Sequence, residues 1–176
     1  MRSLFQTYSY RHSILLWMIM LIGFTACKVK YSFNDATIDP RYKTIKLGFI
    51  ENKARYINPQ LSPKLNDKLQ QKITNQTKLT RVSNDDADYV ISGYISTYDG
   101  TQTVGVSGRQ ASTNRLTVSI NIKLRKNIEN ETKEFVVSRS FDYSANLAFN
   151  TAEAQLLDEV VRNMVDEIFN RIFSDW

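Results

Sequence analysis

Arg115-Leu116-Thr117-Val118-Ser119-Ile120-Asn121-Ile122-Lys123-Leu124 alternates without a break. Leu116, Val118, Ile120, Ile122 and Leu124 fall on one face. Arg115, Thr117, Ser119, Asn121 and Lys123 fall on the other. A period of two with aliphatic residues on one side is the signature of a half-buried strand. The stretch therefore predicts a sheet with one face on a core and the other solvated or covered by a partner. Downstream, Asn127 to Thr132 reads as a hairpin turn. Glu134 to Tyr143 then returns as a strand, with Phe135, Val137, Phe141 and Tyr143 inward. Arg139 interrupts that face and predicts a bulge or a strand end. Upstream, Asp88 to Tyr98 is strand-like, with Tyr89, Ile91 and Ile95 on one face and Val90, Tyr94 and Tyr98 on the other. Gly93 there marks a bulge or a close packing point. Asp99 to Asn114, rich in Gly, Ser, Thr and Gln, reads as a long polar loop. Its glycines lack the spacing that cradles phosphate.

Further out, Thr44 to Ile50 alternates, with Ile45, Leu47 and Phe49 on one face, and reads as a strand. Ser62 as N-cap and Pro63 at the first helical position predict a helix start. Leu65, Leu69 and Ile73 give that helix a narrow apolar stripe, suited to packing on a sheet. Leu79 to Val82 reads as a short strand, and Asn84-Asp85-Asp86 as a turn. The chain closes on a long amphipathic helix. Asn150 and Glu153 resemble a capping box, and Leu157, Val161, Met164, Val165, Ile168 and Ile172 trace its stripe. Asp158 with Arg162, and Glu167 with Arg171, are spaced for i,i+4 pairs worth about 0.3 kcal/mol each. The order is β-α-β-β-β-α, and the first crossover makes its two strands parallel and right-handed. The expected fold is an α+β two-layer sandwich: a mixed sheet of about four strands with both helices on one face.

The first residues carry different information. Arg2 and Arg11 flank an uncharged start, and Ile14 to Phe24 is apolar apart from Gly23. A basic region, a short apolar run and small residues before a cut make a secretory signal peptide. The run is too short to span a bilayer core, which needs roughly 20 residues. Phe24-Thr25-Ala26-Cys27 resembles a bacterial lipobox, with Phe24 where Leu is typical. The expected organisation is a lipoprotein signal peptide over 1–26, a tether over 27–43 and a domain over 44–176. Cys27 is then the lipid-attachment residue, carrying palmitate and diacylglycerol. The chain has 23 Lys and Arg against 18 Asp and Glu, a net charge of +5. The leader holds only Arg2 and Arg11 among these, so the mature chain is +3.

Cysteine and histidine usage restricts the chemistry. Cys27 is the only cysteine, so no intrachain disulfide can form. His12, the only histidine, lies in the leader. The mature chain therefore lacks Ser-His-Asp and Cys-His catalysis and any His- or Cys-based zinc site. A Ser-Lys dyad or a carboxylate pair stays formally open. Asp85, Asp86 and Asp88 form an acidic cluster that a turn explains better than calcium, given the absence of Asp-x-Asp-x-Asp-Gly spacing. The expectation is a protein that is no enzyme, with no catalytic residue, no metal and no cofactor.

Cys27 with Tyr31-Ser32-Phe33, Asn58-Pro59-Gln60-Leu61-Ser62, Gln110 to Val118, and Asp166-Glu167-Ile168-Phe169-Asn170 with the final Trp176 together resemble the LPS-assembly lipoprotein LptE family. Lys28-Val29-Lys30 departs from that family in being more basic. The resemblance implies a non-enzymatic outer-membrane lipoprotein that plugs and helps assemble the LptD β-barrel translocon and assists lipopolysaccharide transport to the cell surface. It implies partners of three kinds: an LptD-type barrel, lipopolysaccharide, and the membrane through the anchor on Cys27. Lys28 is not the Asp that retains lipoproteins at the inner membrane, so the expected location is the outer membrane, facing the periplasm within the barrel. Basic side chains would meet the lipid phosphates. The candidates are Arg109 and Arg115 around the long loop, and Lys123, Arg125 and Lys126 at the far strand end. Arg115, Lys123 and Arg125 share one face, a basic stripe on the uncovered side of the sheet. The alternative is a periplasm-facing lipoprotein that binds another envelope component or a peptide and has no barrel partner. A nucleic-acid binder is disfavoured by the leader and by the absence of an RNP-like aromatic motif.

Overall fold

The computed structural model describes residues 38–107 and 110–174, and the side chains of residues 105–112 lie outside that description. The leader, Cys27, Arg109 and Trp176 fall outside the described residues. The elements are β1 (Thr44–Leu47), β2 (Glu51–Asn52), α1 (Leu61–Gln76), β3 (Thr80–Arg81), β4 (Tyr89–Ser107), β5 (Gln110–Lys126), β6 (Glu131–Ser144) and α2 (Phe149–Phe173). The sheet runs β3-β1-β4-β5-β6, with β2 also on β4, which makes six strands rather than four. β1 is parallel to both β3 and β4, as a crossover through α1 requires, and β4, β5 and β6 form an antiparallel meander. The alternation of β5 holds throughout: Leu116, Val118 and Ile120 are fully buried, and Ile122 and Leu124 nearly so. One core joins them to Leu61, Leu65, Leu69 and Ile73 of α1 and to Leu157, Val161, Met164, Val165, Ile168 and Ile172 of α2. Burying a side chain of this size contributes roughly 1.5–3 kcal/mol.

The first strand is split, and the split reverses its phase. Leu47 pairs with Ile91, and Glu51 pairs with Tyr94. Three residues on the edge strand therefore face two on β4. A one-residue slip exchanges the faces of everything beyond it. Ile50 turns inward and is fully buried, whereas Phe49, expected inside, is 60% exposed. Asn66 fixes the bulge: its Oδ1 accepts the Ile50 N–H at 2.9 Å and its Nδ2 donates to the Ile50 carbonyl at 3.1 Å. The same logic corrects Tyr98. A register shift between Ile95 and Thr97 moves it to the core side, where it is 3% exposed.

Both helix starts differ from expectation. Asn58 Oδ1 accepts the Gln60 N–H at 2.8 Å, and this local turn starts α1 at Leu61, before Ser62 can cap it. Ser62 is buried instead. Glu153 does not close a capping box: Asn58 Nδ2 donates to it at 2.7 Å and the Tyr56 hydroxyl at 3.1 Å. The proposed i,i+4 pairs are replaced by contacts between elements. Asp158 meets Lys64 at 2.8 Å, Glu167 pairs with Arg139, and Arg171 lies over the Phe135 ring. Arg139 causes no bulge, because the β5–β6 register is unbroken from Thr113 opposite Ser144 to Lys126 opposite Glu131. β6 is the edge strand, so the long Arg139 side chain can pass the core and reach α2.

Within the expected loop, the described residues 99–107 and 110–114 are not loop but extensions of β4 and β5, paired with each other. Polar residues form strand here because backbone pairing with a neighbour, not burial, satisfies the chain. Their root is pinned. Asp99 Oδ1 accepts the Thr101 N–H at 2.9 Å, and the Tyr143 hydroxyl donates to the Gly100 carbonyl. A Cβ on Gly100 would fall 2.0 Å from the Phe149 ring, so only glycine lets the bulged strand cross α2 here. Gly93 is a close packing point of the same kind, since a Cβ there would fall 2.4 Å from the Asn121 carbonyl oxygen.

Candidate functional site

The helices cover one face of the sheet, and the opposite face of β4, β5 and β6 lies bare. Its residues form cross-strand rows. Ser92, Lys123 and Glu134 make one, and Tyr94, Asn121 and Val136 the next. Beyond them Ser119 meets Ser138 through their hydroxyls at 2.9 Å, and Thr117 meets Ser140 at 3.1 Å. Arg115 opposite Asp142 ends the series. A groove of about 510 Å³ runs over the first two rows, between Tyr94, Lys123, Glu134 and Val136. Tyr94 is 41% exposed and Val136 54%, two large apolar side chains flanking Asn121, with half-buried Val90 farther along the same face. Lys53 reaches over the Tyr94 ring, 5.4 Å from its centre.

The predicted basic stripe exists as a shared face, and its cations have protein partners. Arg115 grips Asp142 with two hydrogen bonds, of 2.6 and 2.9 Å. This contact holds the Asp142 carboxyl below its ordinary range and raises the guanidinium. Lys123 meets Glu134 at 2.9 Å. Arg125 donates to the Asp85 carbonyl at 2.9 Å, and Asn127 donates to the same oxygen. Lys126 sits on the core side of the strand, half-covered, with Glu129 at 3.6 Å and Glu131 at 3.8 Å. The structure thus brings Arg115, Lys123 and Arg125 to one face and separates Lys126 from them. Arg109 and Cys27 lie outside the described residues.

The acidic cluster has local work. Asp88 accepts the N–H groups of Lys43 at 2.7 Å and Thr44 at 2.8 Å, and these bonds lower its pKa. Asp85 pairs with Lys46 at 2.8 Å. Together they fasten the start of β1 to the turn before β4. Among the described residues, no three His, Cys, Asp or Glu side chains converge as a metal site, and no helix is long and apolar enough to cross a membrane. Sequence alternation sets Tyr94 on the face opposite Ile91 and Ile95 but does not couple it to Val136. The signal was there: both are apolar at positions whose neighbours two residues away are polar.

Fold and surface together define a two-layer α+β domain with one helix-covered and one bare, ion-paired sheet face. The chain belongs to the lipopolysaccharide-assembly family LptE, which matches residues 42–172. Among solved structures, the hypothetical protein CT253 from Chlamydia trachomatis is similar in fold, with a TM-score of 0.50 at 8% identity over 76% of this chain and 99% of that one. A minor lipoprotein from Acinetobacter baumannii reaches a TM-score of 0.47 at 17% identity, over 76% of this chain and 94% of its own. The rare lipoprotein B from Shewanella oneidensis reaches 0.44 at 14% identity, over 72% and 89%. No curated protein sequence matches the chain.

Proposed function

We propose that this chain is an outer-membrane lipoprotein, anchored through Cys27, that plugs and helps assemble an LptD-type β-barrel and assists the passage of lipopolysaccharide to the cell surface. The observation that carries the reading is the lipopolysaccharide-assembly family match over residues 42–172. The leader and the lipobox-like Phe24-Thr25-Ala26-Cys27 support the anchor. The role is non-enzymatic: the domain would act by filling and bracing a partner. In this reading the bare sheet face meets the barrel wall. Arg115 and Lys123 are already matched within the sheet, so docking would not strand them unpaired, and Tyr94 and Val136 offer apolar contact at its centre. Lipid phosphates would compete for Arg115 and Lys123 with Asp142 and Glu134, an exchange of one surface ion pair for another.

The test is an affinity pull-down of the full chain from envelope extracts, with mass spectrometry of the prey and of the N-terminus. A large outer-membrane barrel among the prey, with diacylglycerol on Cys27, supports the proposal. An acylated chain that brings down no barrel favours a lipoprotein that acts alone on another envelope component.

A further inference from the structure

α1 and α2 lie side by side with their residue numbers ascending together, and their facing edges are laced in register. Lys64 Nζ meets Asp158 Oδ1 at 2.8 Å, and Lys72 Nζ meets Asp166 Oδ1 at 2.8 Å. Each pair spans 94 positions of the chain. Residues four apart share a helix face. The middle rung of the ladder is therefore Lys68 opposite Arg162, two exposed cations where the rungs on either side join a lysine to an acid. On its own helix Arg162 has Glu159 three residues before it and Asp158 and Asp166 four residues to either side; both aspartates hold hydrogen bonds with lysines, and no ion pair joins Arg162 to any of the three. Arg162 adds only its field at Asp158, whose pKa is lowered first by the Lys64 bond. The three rungs together carry four cations and two carboxylates.

A groove of about 280 Å³ opens at this rung. Lys68, Lys72 and Arg162 line it, the amide side chains Gln71 and Asn75 add donors, and Asp166 stands at its margin. We propose that the rung is an anion site that takes a phosphomonoester group between Lys68 and Arg162. A phosphomonoester carries about −1.5 to −2 charges near neutrality, enough to engage the two facing cations at once. Arginine engages two phosphate oxygens through its planar fork, and lysine supplies a compact charge from the facing helix. The site lies on the helix layer, away from Arg115 and Lys123, and its argument is independent of the lipopolysaccharide reading.

The experiment is an NMR titration of the full chain with inorganic phosphate and, in parallel, with a short-chain phosphatidic acid. Arg162→Gln and Lys68→Gln are the test variants, because both side chains are exposed. Lys133→Gln, an exposed lysine of β6 that pairs with Glu131, is the control. The expected result is saturable shifts centred on residues 68 and 162, weakened at least about tenfold by either variant and unchanged by the control. Saturation by inorganic phosphate alone supports the site as one for a free anion, and saturation by phosphatidic acid alone supports it as one for a lipid headgroup. Absence of saturation with either probe, or equal responses in wild type and Arg162→Gln, would overturn the proposal.

Discussion

The two faces of β5 share a backbone and differ in almost everything else. On one side Leu116, Val118, Ile120, Ile122 and Leu124 are buried against two helices. On the other, Arg115, Thr117, Ser119 and Lys123 reach across to Asp142, Ser140, Ser138 and Glu134 at matched positions. The first face stabilises the fold by removing apolar surface from water. The second stabilises little, since exposed ion pairs are worth about 0–1 kcal/mol. What the second face does is stay satisfied in isolation while remaining free to be covered. Such a division of labour suits a domain whose fold is complete before its partner arrives.

That comparison can be broken from the core side first. Ile120→Ala should lose about 2–5 kcal/mol, read by denaturant unfolding, because it leaves a cavity where sheet and helices meet. Gly93→Ala should lose roughly 1–3 kcal/mol, because its methyl group would be driven into the Asn121 carbonyl. Asp88 gives a smaller, pH-dependent effect. The Lys43 and Thr44 N–H groups hold its carboxyl below the usual value of about 3.9. The folded pKa is depressed, so the contribution is present above that value and lost as the pH falls through the folded one. Asp88→Asn should therefore lower stability near neutrality and flatten its acid limb, measured as melting temperature against pH. On the bare face, Ser119→Ala should change stability by no more than about 0.5 kcal/mol. A loss of 2 kcal/mol there would mean that the hydroxyl rows hold the fold after all.

The parts of this molecule that could be read from its sequence are those where one local rule acted alone. β5 and the stripe of α2 obey a single period, and the structure keeps both. Phe49 and Tyr98 were misplaced because each lies just past an extra residue in an edge or bulged strand, which sequence periodicity does not register. Ser62 and Glu153 carry good capping chemistry, but Asn58 displaces both: its local turn starts α1 before Ser62, and across the fold its amide holds the Glu153 carboxylate. The strand extensions over 99–107 and 110–114 are hidden in the sequence because their polar residues are held by backbone pairing to one another. The basic stripe was legible as a face. Its neutralisation was not, since Asp142 and Glu134 become partners only once the β5–β6 register is known.

The central claim is that the bare face is the docking face. A photo-crosslinking residue at position 94, with one at position 120 as the buried counterpart, tests it in living cells. The account predicts that position 94 captures a large outer-membrane barrel and position 120 captures nothing. Capture at neither position, or only of soluble periplasmic proteins at position 94, would contradict it.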